Sequence, residues 1–190
     1  MRKLQAKLAL ILLVACYAAS LRAAETFVAL CYHDIQDTVP AKTQTITLSS
    51  DELVAQISWL YAHDYHPISL DDLIAARDGR RPLPNKAVLL TFDDGYQSMY
   101  TRVYPLLKLY HFPAVLALVT GWMEHKPGEN IRYDDEQRVR EQLLSWDQVR
   151  EMEKSGLVEA VSHSDELHHG ILANPQGNEL PAPATRLYDK

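Results

Sequence analysis

The sequence predicts an α/β fold in which a parallel sheet is covered by helices. Segments of strand character alternate with segments of helical periodicity along the chain. The strand segments, "AVLLTF" and "FPAVLALVT" above all, are continuously apolar rather than alternating, as strands buried on both faces are. With 190 residues and 47% hydrophobic content, the chain has the material for one domain with a good core.

The first segment is expected to stand apart from that domain. "MRKLQAKLALILLVAC" joins a basic start (Arg2, Lys3, Lys7) to an apolar run from Leu8 to Val14, too short to span a bilayer. It reads as an export signal over residues 1–15, followed by a linker at 16–26 and a domain at 27–190. "LVAC" resembles the lipobox of bacterial lipoproteins, which implies lipidation of Cys16. The alternative is an ordinary signal cut within "AASLRAAE". Both readings take the protein out of the cytoplasm; the first anchors it in the periplasm, at the outer membrane.

Each later element has its own warrant. "FVALCY" is a short strand of buried type, with Cys31 as a small buried hydrophobe. Ser49 stands three residues before Glu52, the spacing of a capping box, and opens a helix over "SSDELVAQISWLYAHD". "YHPISL" is a weak strand, after which Ser69 caps "LDDLIAAR". "AVLLTF" is the strongest strand, and "SMYTRVYPLLKLYH" a helix in which Pro105 marks a kink or a late start. After the strand in "FPAVLALVT" a polar loop is expected from Glu124 to Gln142. Ser145 caps "WDQVREMEKS", Gly156 stops it, and "LVEAVS" returns as a strand. Beyond Gly170 the three prolines and the Gly-Asn pair predict an exposed loop.

Charge narrows the function. A net charge of −6 argues against nucleic-acid binding, which calls for a basic face. Only two cysteines exist, Cys16 and Cys31, so no disulfide framework is expected. The chemistry gathers where strands end. "VLLTFDDGY" closes its strand on Asp93 and Asp94, adjacent carboxylates that resist desolvation unless a cation sits nearby. "SHSDELHHG" follows another strand and offers His163, Asp165, Glu166, His168 and His169. His163 and His168 are five apart, about 140° around a helix, so they converge only on a turning loop. Two imidazoles and one carboxylate at the carboxyl ends of parallel strands make a facial metal set. One aspartate would bind the ion and the other take a proton from its water; spacing alone does not decide which. His33, in "YHDI", also lands at a strand's carboxyl end. His63, His66, His111 and His125 read as surface residues, and His169 should point away from the set. A calcium loop is disfavoured because "DDGYQSMYT" lacks alternating oxygen ligands.

"TFDDGY" together with "SHSDELH" resembles the first two motifs of the polysaccharide deacetylase (NodB-homology) family of carbohydrate esterases. The longer segments "ALCYHDI", "VLLTFDDGYQSMYTRVYPLLKLYHFPAVLALVTGWM" and "LSWDQVREMEKSGLVEAVSHSDELHHGI" are similar to one branch of it. That branch acts on the biofilm polymer poly-β-1,6-N-acetyl-D-glucosamine in the Gram-negative periplasm. The resemblance implies a (β/α) barrel, incomplete here, with Asp93 as general base and Asp94, His163 and His168 as metal ligands. It further implies His33 as the group that protonates the leaving amine or steadies the developing charge. A divalent ion is implied; Zn, Ni, Co and Fe suit such ligands alike. The implied partners are an acetylated polysaccharide, a membrane reached through the lipid anchor, and exopolysaccharide export machinery. Family members continue past the second motif through an arginine-containing motif, a Trp-bearing pocket wall and further barrel strands. The chain is therefore expected to be a truncated form. The competing expectations are a non-catalytic, lipid-anchored remnant or sugar-binding fragment, and a deacetylase of another acetylated polysaccharide such as chitin oligomers or peptidoglycan.

Overall fold

The computed structural model describes residues 26–39, 46–133 and 136–182. The predicted export signal, Cys16 and the linker up to residue 25 lie outside them. In chain order the first elements are β1 (Phe27–Tyr32), β2 (Asp34–Gln36), β3 (Thr47–Ser49), α1 (Ser50–Ala62), β4 (His66–Pro67) and α2 (Leu70–Arg77). Then follow β5 (Ala87–Asp94), a π turn at Met99–Val103, α3 (Tyr104–Tyr110), β6 (Ala114–Val119) and the short α4 (Thr120–Met123). The last are β7 (Asn130–Tyr133), β8 (Glu136–Val139), α5 (Trp146–Lys154), β9 (Val158–Ser164), β10 (Gly170–Leu172) and β11 (Glu179–Pro181).

The main sheet is parallel throughout, in the order β1-β5-β6-β9, with β4 paired to the first residues of β5. β5 shows why its sequence is apolar without a break. Val88, Leu90 and Phe92 enter one buried cluster with Leu107, Leu116, Leu144 and Met152. Ala87 and Leu89 enter another with Ile68 and Val115. Alternate residues face opposite sides of a strand, so burial on both sides removes the polar alternation.

The predicted helix starts are present. Ser49, Ser69 and Ser145 each accept from the backbone N–H three residues on, and Glu52, Asp72 and Gln148 return the bond. Gly156 follows α5 at φ +73°, a left-handed turn that glycine adopts without steric cost. Pro105 sits in the first turn of α3, after the π turn, where an absent N–H costs nothing.

Three expectations are corrected. The segment Glu124 to Gln142 is no open loop: it carries the antiparallel pair β7–β8 and a 3₁₀ turn at Arg140–Gln142. The segment after Gly170 likewise forms the antiparallel pair β10–β11. β1 is less buried than its composition suggests, with Phe27 43% and Val28 52% exposed. Among the described residues it pairs with β5 alone, so its outer edge and part of one face meet no neighbour. No helix among the described residues is long and apolar enough to cross a membrane.

Candidate metal centre

Strand register gathers the predicted residues at one rim. Tyr32 pairs with Phe92, Asp93 with Ala117 and Asp94 with Leu118, while Leu118 and Val119 pair with Ser162 and Ser164 across a register shift. The carboxyl ends of β1, β5 and β9 thus lie side by side along the sheet, with β6 between the last two. Asp93 and Asp94 are the final residues of β5, and His163 is the penultimate residue of β9. His33 occupies the single residue between β1 and β2.

Asp94 is fully buried, and neither of its carboxylate oxygens has a hydrogen-bond partner. His168 Nε2 lies 3.4 Å and His163 Nε2 4.0 Å from Asp94 Oδ1. Together they offer three donor atoms within 4.8 Å of one another, enough to hold a divalent cation. Burial pushes the Asp94 carboxyl above its usual range, against the opposing pull of His168, His33 and His163. A buried carboxylate whose oxygens accept no hydrogen bond and face two imidazole nitrogens suits a cation.

The backbone that carries Asp94 is unusual. Asp94 has φ +73° and Gly95 φ +84°, two left-handed residues in succession. A Cβ at position 95 would stand 2.8 Å from Leu118 Cδ2, so glycine is required there twice over. The turn is then stitched to the segment before α5: Leu144 N–H donates to Gly95 O at 2.9 Å and Gln97 N–H to Gln142 O at 2.7 Å.

The histidine loop is held by the start of α4. Thr120 Oγ1 donates to Asp165 Oδ1 at 2.9 Å, and Gly121 N–H to Asp165 O at 2.7 Å. A Cβ on Gly121 would stand 2.3 Å from Glu166 Cγ and 2.6 Å from Asp165 O, so the loop packs where a side chain would be. The buried Trp122 ring lies 5.6 Å from that of His168 and tilts against it. Trp122 also lines a cleft shared with His125, Asn130, Ile131, Glu166 and His169.

The turn carrying His33 is fixed by the buried Asp34 next to it. Asp34 accepts from Ser98 Oγ at 2.8 Å and from Gln36 Nε2 at 2.6 Å, and Ile35 N–H donates to the same Ser98 oxygen at 3.1 Å. His33 thereby stands beside Asp93, in a second group completed by Cys31 whose donor atoms also lie within 4.8 Å. Cys31 corrects the sequence reading: it is an exposed thiol, not a buried hydrophobe, and donates to Asp93 Oδ2 at 3.3 Å. The edge position of β1 explains the exposure. Desolvation of its sulfur pushes the Cys31 thiol above its usual range; the Thr91 hydroxyl opposes this and Asp93 reinforces it.

Among the predicted residues, Asp93, Asp94, His33, His163 and His168 therefore converge. The remaining histidines do not join them. His63 Nδ1 meets Trp59 O, His125 pairs with Glu129, and His111 ends α3 in a left-handed turn. Thr120, Gly121, Trp122 and Ser98 went unread as site residues. "VTGWM" carries a small residue just past a strand, the one signal that could have pointed to a close approach there.

A family model described as polysaccharide deacetylase matches residues 80–182. The poly-β-1,6-N-acetyl-D-glucosamine N-deacetylase of Escherichia coli K12 is 41% identical over 162 residues, 85% of this chain and 24% of that protein. A de-N-acetylase from Aggregatibacter actinomycetemcomitans superposes with TM-score 0.79 at 42% identity, over 86% of this chain and 64% of its own. The BpsB deacetylase domain from Bordetella bronchiseptica gives TM-score 0.74 at 42% identity, over 87% of this chain and 65% of its own. The chain thus spans about a quarter of the length of the first relative and about two thirds of each solved domain.

Proposed function

Because the chain belongs to the polysaccharide deacetylase family, we propose that it hydrolyses the acetamide of poly-β-1,6-N-acetyl-D-glucosamine in a metal-dependent reaction. One observation carries the proposal: a fully buried carboxylate, Asp94, that accepts no hydrogen bond and is faced by the Nε2 atoms of two histidines. Asp94, His163 and His168 would hold a divalent ion, Zn, Ni, Co or Fe, which supplies Lewis-acid polarisation of the acetamide carbonyl and an acidified water.

The chain's own groups divide the proton chemistry. Asp93, next to Asp94 but in the neighbouring group, takes the proton of the attacking water. An amine is a poor leaving group, so its nitrogen must be protonated before the C–N bond breaks. His33, within 4.8 Å of Asp93, delivers that proton. The Asp34–Ser98 contact steadies the turn from which His33 reaches in. The cleft beside Trp122 offers an aromatic and polar wall to the adjoining sugar. The products are acetate and a free amine on the polymer.

The reading places this chemistry in the periplasm, at the outer membrane where Cys16 carries a lipid, with export machinery for the polymer nearby. The location rests on the amino-terminal sequence alone, and the export machinery on the resemblance to the biofilm branch. The test pairs a metal titration with acetate release from β-1,6-linked N-acetylglucosamine oligomers, on wild type, His163→Ala and Asp93→Asn. His163→Ala is expected to lose saturable binding, while Asp93→Asn keeps the metal and loses about 10²–10⁴-fold in rate. Metal uptake without acetate release in wild type would sink the catalytic reading and leave a metal-binding chain.

A further inference from the structure

We propose that Cys31, His33 and Asp93 form a second cation site, selective for thiophilic divalent ions such as zinc or cadmium, whose occupancy switches off the deacetylation proposed above. The proposal rests on that reading of Asp93 and His33 for its consequence, though not for the site itself.

The donor set is the first ground. A thiol sulfur, an imidazole nitrogen and a carboxylate oxygen lie within 4.8 Å of one another, from a strand end, the next residue but one, and the adjacent strand. Tetrahedral zinc sets its ligand atoms about 3.3–3.8 Å apart, and the Cys31 Sγ to Asp93 Oδ2 distance is already 3.3 Å. Only small rotations of exposed or half-exposed side chains are needed to close the rest. Cys31 is a free cysteine open to solvent, which leaves the fourth position to water.

Chemistry separates this group from the Asp94 centre. The Asp94 group has no sulfur, whereas a thiolate favours softer ions. On binding, the Cys31 S–H bond breaks, its proton passes to solvent, and the thiolate takes the ion that now replaces the proton held against Asp93. A neighbouring ion on Asp94 repels this one, so the second site is the weaker. Its effect is direct. A cation on the Asp93 carboxylate draws off its basicity, and one on the His33 nitrogen takes the lone pair that would carry the proton, so the ion disables base and acid together.

The experiment is a cadmium titration of the full chain, followed by the ultraviolet thiolate-to-cadmium charge-transfer band, which the sulfur-free Asp94 centre does not produce. A saturable band is expected in wild type and in His163→Ala, absent in Cys31→Ser, and weakened about tenfold or more in His33→Ala and Asp93→Asn. No band in wild type overturns the proposal. So does a band that survives Cys31→Ser, since its sulfur is then Cys16, or one of full affinity in both His33→Ala and Asp93→Asn. Acetate release is measured in parallel on protein loaded at the Asp94 centre. Release without a band sinks the second site and spares the deacetylase; a band without release does the reverse. With both present, excess cadmium is expected to cut release about a hundredfold in wild type and to spare Cys31→Ser.

Discussion

Asp94 carries two unfavourable features at once: a left-handed backbone, and a carboxylate sealed from water with no donor to its oxygens. The first costs about 1–2 kcal/mol for an ordinary residue and less for Asp or Asn, whose short polar side chains tolerate that region. The second is the kind of cost that the cation proposed above would offset. Stability and binding should therefore move in opposite directions. In metal-free protein, Asp94→Asn is expected to raise stability by about 1–3 kcal/mol, because a neutral amide keeps the shape and sheds the buried charge. The same variant should lose saturable metal uptake, and a wild type no less stable than the variant without metal would refute this account. These residues were legible because carboxylates rarely close an apolar strand. Cys31 was not, since its exposure depends on which strand lies beside β1, and no residue within "FVALCY" encodes that.

At the scale of elements, the site depends on two contacts made across chain segments. The loop after β9 rests on Thr120 and Gly121, and the turn after β1 on Ser98. Gly121→Ala would drive a methyl into Glu166 and the Asp165 carbonyl, displacing the loop that carries His168 and begins one residue after His163. Metal affinity is expected to fall about 10–100-fold while far-ultraviolet circular dichroism stays that of the wild type. Unchanged affinity would mean that the loop is placed by other contacts. Helix starts were readable because a capping box is local, three residues wide, and Ser49, Ser69 and Ser145 all carry it. β7–β8 was not. Its residues, "NIRY" and "EQRV", are polar enough to read as loop, and their pairing shows only in the fold.

For the whole molecule, the sheet is a frame that holds distant chain segments in register, and the ion proposed above would tie part of that frame together. Anything that binds the folded chain alone stabilises it by mass action, by about 2.7 kcal/mol at a hundredfold excess over Kd. For a chain of this size that raises Tm by about 5–11 °C. Calorimetry with saturating metal and with chelator should show the gap in wild type and not in His163→Ala. The parallel architecture was legible from the unbroken apolar strands, whereas the sheet order was not, because every such strand looks alike to its neighbours. That order has one more outcome. Asp94 belongs to β5 and the histidines to β9 and the loop after it, and β6 stands between the two strands. During folding, a half-made chain holds one half of a claw. Capture of the proposed ion would have to wait until β9 has docked, which would make metal uptake a late checkpoint that only finished molecules pass. A protein that folds after export would then draw its ion from the compartment where it folds rather than from the one where it was made.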